Sequence, residues 1–178
     1  MKFLRKLFAG LINTTAAKTA EPVGKSPADM MRAMRTAWLT RSPEKGIHAS
    51  ADEVVAVVMD WPIGNQTATV LSSSGGDASL YTTATFGILG GIGHEKVRKA
   101  AVAFVEASQR FITLTSPTTH FPYPDSETLT FYMVTPSGTR VVSFRMTDVE
   151  KADSPARVLF ECGQQVLTEL RQIAPPQE

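Results

Sequence analysis

The sequence predicts an α+β fold in two layers, with helices packed on an antiparallel sheet of about five strands. Valine-rich and alternating runs, separated by glycine- and proline-containing turns, indicate strands. Apolar residues at helical spacing between these runs indicate helices, and Ser-Pro pairs precede two of them. The predicted order is helix, three strands, helix, two strands, helix. Hairpin connections imply antiparallel pairing within each strand group.

The first residues, MKFLRKLFAGLIN, predict a basic amphipathic helix, here called the N-terminal segment (residues 1–13). The two faces of this helix are formed by apolar residues (Phe3, Leu4, Leu7, Phe8, Leu11) and by basic residues (Lys2, Arg5, Lys6). Such a segment lies on an anionic membrane surface, docks on protein through the same face, or is a cleaved signal peptide. The pattern leaves these three interpretations open. It is too short to span a bilayer.

Residues 14–26 carry no periodicity and are predicted to be a linker, residues 27–174 a single α+β domain, and residues 175–178 a tail. The first helix of this domain begins after the N-cap Ser26 and runs from Pro27 to about Leu39. Its apolar face is predicted from the residues at helical spacing (Met30 or Met31, Met34, Ala37, Trp38).

The strands are predicted from three runs before the second helix and two after it. Residues 52–61 form a nearly continuous apolar run, typical of a strand buried on both faces, and Pro62 is expected to end it. The runs 67–73 and 78–86 flank a glycine turn and complete a meander. Two further strands form a hairpin about residues 136–138.

Two more helices are predicted from apolar spacing. The first runs from His94 to Leu114, and the second begins at Pro155. The inward positions of the second helix are Leu159, Cys162, Val166, Leu170 and Ile173. Between the helices, residues 115–127 contain three prolines and cannot continue a helix; they are called the proline loop.

The order of elements resembles that of the small dimeric secretion chaperones of bacteria and of the sensory-regulator proteins built like them. The resemblance is one of topology alone. It implies an α+β fold and is compatible with an adaptor or chaperone-like role, but a shared fold does not fix a function.

The stretch TFGILGGIGHE contains the glycine corner (residues 87–95), in which glycines crowd before a helix. Gly87, Gly90, Gly91, Gly93 and His94 are candidate residues for contact with a ligand or a partner. A helix N-terminus with glycines can bind an anion. However, the lysine and hydroxyl of a P-loop are missing, and Glu95 carries a charge that repels anions. Three interpretations of the glycine corner therefore remain open. In order of preference, they are a structural corner, a contact with a partner or lipid, and an anion site.

The proline loop supplies His120, Phe121 and Tyr123 as a second candidate contact for a ligand or partner. The competing interpretation is that Phe121 and Tyr123 fix the loop to the protein body. No catalytic residue is predicted, because the sequence contains neither a nucleophile elbow nor a cysteine-histidine signature. No metal site or cofactor is predicted either, because the histidines lack ligand spacing.

Charge is distributed unevenly along the chain. Residues 1–45 carry nine Lys/Arg and three Asp/Glu, a net +6, whereas residues 46–178 carry nine and fourteen, a net −5. A basic front and an acidic body disfavour nucleic acid as a partner and favour an anionic surface. A sheet with one helical layer leaves a face or an edge to bury, which favours a homodimer.

These observations predict a non-catalytic binding, regulatory or chaperone-like adaptor module with a protein partner. The N-terminal segment would tether it to an anionic membrane surface or to a larger assembly. We expect a cytoplasmic protein that reaches the membrane peripherally. The alternative is a small enzyme or ligand sensor that binds an anionic small molecule at residues 87–95.

Overall fold

The computed structural model describes residues 26–41, 50–84 and 86–174. The N-terminal segment, most of the linker and the predicted tail lie outside the described residues.

The described residues form three α-helices and seven strands, which confirms the α+β class. The elements are α1 (Pro27–Leu39), β1 (Ala56–Ile63), β2 (Gln66–Ser73), β3 (Ala78–Thr82), β4 (Gly87–Ile88), α2 (Glu95–Gln109), β5 (Ser116–Pro117), β6 (Thr128–Thr135), β7 (Gly138–Arg145) and α3 (Pro155–Ile173). Short 3-10 turns cover Gly91–Gly93, Ile112–Leu114 and Met146–Glu150.

The sheet has the order β4-β3-β2-β1-β6-β7-β5, and every pairing is antiparallel. The two strands beyond the expected five, β4 and β5, contain two residues each and lie at the two edges. A strand of two residues is too short to show an alternating apolar pattern in the sequence. They pair because the neighbouring chain brings them beside β3 and β7.

Helices cover both faces of the sheet, which corrects the predicted two layers to three. Val57 and Met59 of β1 belong to the apolar core under α2 and α3, whereas Val58 belongs to a second core under α1. The nearly continuous apolar run of β1 is explained by this arrangement, because its side chains are buried on both faces. The helix α1 thus covers part of the sheet face that a single helical layer would leave open to a homodimer.

Local sequence explains where α1 and α3 begin. The Ser26 hydroxyl accepts a hydrogen bond from the Asp29 N–H at 3.1 Å, and the Ser154 hydroxyl accepts one from the Ala156 N–H at 3.2 Å. Each cap is followed by a proline at the start of its helix. These two predicted starts are confirmed.

Several predicted boundaries are wrong. The strand β1 begins at Ala56, not residue 52, and β3 ends at Thr82, not residue 86. The helix α2 ends at Gln109, not Leu114, because the main chain beyond it tightens into i→i+3 bonds. The Gln109 Oε1 accepts the Val54 N–H at 2.7 Å. Pro62 does not end β1, which continues to Ile63. Beyond Asp60, β1 pairs with β2 alone, so a residue without an N–H is tolerated there.

The predicted apolar face of α1 is correct only in part. Met31, Met34 and Trp38 pack against the second core, but Ala37 is exposed. The buried residues of this helix are Arg35 and Leu39. In α3, Leu159, Val166 and Leu170 are buried as predicted, whereas Cys162 and Ile173 are half-buried against the core.

Candidate functional site

A buried polar cluster lies between α1 and the sheet, and we call it the Arg35 cluster (Arg35, Asp60, Thr69, Tyr123, Tyr132). The Arg35 Nε donates to both Asp60 carboxylate oxygens at 3.2 and 3.0 Å, and its Nη2 donates to Asp60 Oδ2. The Thr69 hydroxyl donates to Asp60 Oδ1 at 2.6 Å. The Asp60 carboxylate is fully buried, so its charge is balanced inside the protein rather than by water.

The same guanidinium fixes the proline loop. The Arg35 Nη1 donates to the Phe121 carbonyl oxygen at 2.9 Å, and the Tyr132 hydroxyl donates to the Pro122 carbonyl oxygen, also at 2.9 Å. The Arg35 guanidinium carbon lies 4.4 Å from the centre of the Tyr123 ring. One side chain therefore joins α1, β1 and the proline loop.

Charges and burial shift several pKa values in this cluster. Burial by itself would lower the pKa of Arg35, but the hydrogen bonds to Asp60 and its charge raise it. Burial raises the pKa of Asp60, and the hydrogen bonds from Arg35 and Thr69 oppose that rise. Because these hydrogen bonds converge on the carboxylate, they favour an ionised pair. Burial also raises the pKa of Tyr123 and Tyr132.

The polar groups of the Arg35 cluster bond one another or the proline loop, which gives the cluster a structural role. Arg35 and Asp60 satisfy each other, and the remaining donors are used by main-chain carbonyls of the proline loop. Phe121 packs edge-on to Tyr132, with ring centres 5.7 Å apart. Of the predicted contact residues, Phe121 and Tyr123 thus fix the loop to the body, while His120 is exposed.

The glycine corner is a tightly packed turn at the β4 edge of the sheet. A Cβ atom on Gly91 would lie 2.5 Å from Val97 Cγ1 and 3.0 Å from Leu170 Cδ2. Gly91 therefore has no room for a methyl group and lets the corner approach both helices closely. Gly90 has a φ of 75° and, like Gly93, faces open space.

A carboxylate already lies at the helix end of the glycine corner. Glu95 lies in the first turn of α2, and its carboxylate bonds Lys99 at 2.6 Å. The hydrogen bond from Lys99 lowers the pKa of Glu95, so a negative charge stays at the helix end that would otherwise attract anions. His94, at the N-cap, makes no side-chain capping bond and is exposed.

The two predicted contact segments are attached to different parts of the sheet. Gly87 pairs with Tyr81 at the β4 edge, and a Cβ atom added to Gly87 would lie 3.0 Å from Met31 Cε of α1. The proline loop instead bonds β7 through Thr118 and lies against β6 through Tyr132. Three strands separate β4 from β6, so the two predicted contact segments lie apart on the sheet.

Large apolar side chains are exposed at the glycine corner. Leu89 and Ile92 are 55% and 44% exposed. We call these two residues the corner ridge. Exposed apolar side chains that occur close together are typical of contact surfaces.

Within the described ranges, no group of three or more His, Cys, Asp or Glu side chains could bind a metal ion. None of the helices described is both long enough and apolar enough to cross a membrane. The predicted membrane or partner contacts of the N-terminal segment lie outside the described residues.

The pair of Arg35 and Asp60 was missed as a unit by sequence reasoning, although each residue carries a signal. Asp60 is the one charged residue in the run VVAVVMDW, and Arg35 lies at helical spacing between Met31 and Trp38. A charge within an apolar pattern is buried only when it is paired. That rule predicts a partner for each residue but not that they are each other's partner.

Comparisons with known proteins give no relative for this chain: no protein-family model matches it, and neither does any curated protein or solved structure.

Proposed function

We propose that the protein is a non-catalytic binding or regulatory module, of the adaptor or chaperone-like kind. The corner ridge binds a protein partner, and the N-terminal segment tethers the module to an anionic membrane surface or to a larger assembly. One observation carries the binding function. Of the four large apolar side chains that are exposed in the described residues, two, Leu89 and Ile92, lie in the corner.

The packing of the corner supports a protein contact over a small-molecule site. Gly91 packs closely against Val97 and Leu170, so the corner ridge lies on a fixed turn. Little conformational entropy is therefore lost when a partner binds. The alternative, an enzyme or sensor for an anionic ligand, needs space and positive charge at this place. Gly91 has no such space, and the Glu95 carboxylate, bonded to Lys99, already lies at the helix end where an anion would bind.

Photo-cross-linking tests the corner ridge. The full chain carries p-benzoylphenylalanine at Leu89 and is irradiated in cells of the source organism. We expect a discrete covalent adduct of higher mass. We also expect Ile92→Asp to reduce its yield about tenfold, because a charge in the apolar centre of an interface removes its packing and remains desolvated.

The matched control places the same photoreactive group at Leu114, which is 50% exposed but lies in the turn after α2. An adduct from position 89 alone supports the ridge as the contact surface. Equal adducts from both positions, or none from position 89, contradict it.

Vesicle co-sedimentation tests the tether. The full chain should bind vesicles that contain phosphatidylserine and not vesicles of phosphatidylcholine alone, and salt should weaken the binding. Arg5→Gln with Lys6→Gln should lower binding about tenfold or more, because each basic residue near such a surface contributes about 1 kcal/mol.

The control for charge is Lys96→Gln with Arg171→Gln, two exposed basic residues of the body. Binding that falls equally in both double variants would mean that the body contacts lipid. Absence of binding by the unaltered chain would contradict a membrane tether and leave the larger assembly as the attachment.

A further inference from the structure

A cleft lies between the 3-10 turn Met146–Glu150 and the first half of helix α3. Its volume is about 370 Å³. A cavity of about 150 Å³ can hold a benzene molecule, so the cleft has room for two aliphatic side chains of four carbons each. Met146, Val149 and Phe160 supply its apolar lining. The buried Trp61 packs edge-on to Phe160, with ring centres 5.3 Å apart, and supports the floor of the cleft.

The rim of the cleft carries a carboxylate that is not paired. Glu150 and Glu161 both line the cleft, but Glu161 Oε1 already accepts a hydrogen bond from the Arg157 Nε at 2.8 Å. Glu150 is exposed and forms no ion pair within the described part of the chain. An apolar floor beside a free carboxylate suits an apolar group that has a positive charge next to it.

The corner ridge has the complementary composition. Leu89 and Ile92 are two exposed aliphatic side chains of four carbons each. Lys96 follows them in the first turn of α2, is exposed, and forms no ion pair with any residue that the structure describes. Glu95 bonds Lys99 at 2.6 Å, so it does not neutralise Lys96. The ridge therefore matches the cleft in both size and charge.

The ridge cannot enter the cleft of its own chain. Gly91, which lies between the two ridge residues in sequence, packs against Leu170 near the end of α3. Phe160 lines the cleft nearer the start of the same helix. Ten residues of α-helix rise ~15 Å, so a rigid element keeps the two surfaces apart. Only the ridge of another copy can reach the cleft.

We propose that the partner of the corner ridge is a second copy of this chain, whose cleft receives Leu89 and Ile92. The inference rests on the proposed binding function of the ridge and names its partner. Lys96 of one copy meets Glu150 of the other, and every copy offers both surfaces, so the contact repeats from copy to copy. Two side chains bury less than the ~1,200–2,000 Å² of a stable interface, so the association depends on protein concentration.

Photo-cross-linking of the purified full chain at high concentration tests this contact. The photoreactive p-benzoylphenylalanine replaces Gly93, where an added Cβ meets nothing within 4 Å and both ridge side chains stay in place. Irradiation should give a product of twice the monomer mass, with the bond mapped by mass spectrometry to Met146, Val149 or Phe160. In a mixture of isotope-labelled and unlabelled protein, the bond should join one peptide of each kind.

Charge reversal tests the pairing of Lys96 with Glu150. Glu150→Lys should lower the cross-linking yield about threefold, because two like charges then face each other at an exposed site. Glu150→Lys with Lys96→Glu should restore the yield. Glu106→Lys is the matched control, because it makes the same charge change on an exposed position of α2 that does not line the cleft. It should leave the yield unchanged.

Bonds to the cleft of a second copy, with this response to charge, support the inference. It is overturned by the absence of a bond, by bonds within one chain or to other surfaces, by equal effects of Glu150→Lys and Glu106→Lys, or by a yield that the double variant does not restore. Irradiation in cells separates it from the proposed function. An adduct with a different protein in cells, without one in the purified chain, overturns the second copy alone, and no adduct in either contradicts the ridge itself.

Discussion

Replacing Arg35 by methionine should lower the free energy of unfolding by about 3–5 kcal/mol, because it leaves the Asp60 carboxylate buried without its counter-charge. The substitution also removes the donor to the Phe121 carbonyl oxygen, so it loosens both α1 and the proline loop. The expected loss is a large share of the total stability of an ordinary domain. Urea unfolding, followed by tryptophan fluorescence and circular dichroism, measures it.

Two further variants make this result interpretable. Arg32→Met changes an exposed arginine of the same helix and should alter stability by about 0.5 kcal/mol or less. Asp60→Leu combined with Arg35→Met should be about 2 kcal/mol more stable than Arg35→Met alone, because the unpaired charge is gone. If Arg35→Met costs no more than Arg32→Met, the ion pair does not hold α1 on the sheet.

Gly91→Ala should cost about 2–3 kcal/mol of unfolding free energy, the upper part of the range for overpacking. The new methyl group would lie 2.5 Å from Val97 Cγ1 and 3.0 Å from Leu170 Cδ2, and both side chains are fully buried. The corner would have to separate from α2 and α3 to make room. Thermal and urea unfolding of the purified variant measure the change.

Gly93→Ala is the matched control within the same corner, since a Cβ at Gly93 meets nothing within 4 Å. It should change stability by about 0.5 kcal/mol or less. Equal effects of the two substitutions would mean that the glycines provide flexibility rather than close packing. The separation of the two effects is therefore a direct test of the packed corner on which the binding proposal rests.

The sequence predicted the long elements well because their signals are local. A serine cap followed by proline fixed the starts of α1 and α3, and glycine and proline turns fixed the hairpins. The prediction failed for β4 and β5, which have only two residues each and pair through contacts distant in the chain. It also extended α2 past Gln109, whose side chain is used by Val54, a residue far away in sequence.

The candidate sites could be predicted only in part. The crowded glycines of the corner were apparent from the sequence, but the close approach at Gly91 depends on Leu170 of the last helix. Phe121 and Tyr123 were named as contacts, but Arg35, which determines what they contact, was not. The cleft at Met146 and Phe160 was not predicted, because it exists only where a turn and a helix meet.

The sequence by itself determined the fold class, the helix starts, the hairpins and the unequal charge of the two ends, because these follow from nearest-neighbour chemistry and from composition. The tertiary structure alone decided that helices lie on both faces of the sheet and that Arg35 pairs with Asp60. It also decided that Gly91 packs against α2 and α3 while Leu89 and Ile92 are exposed. The physical reason is that burial and pairing depend on residues far apart in the chain, which local patterns do not specify.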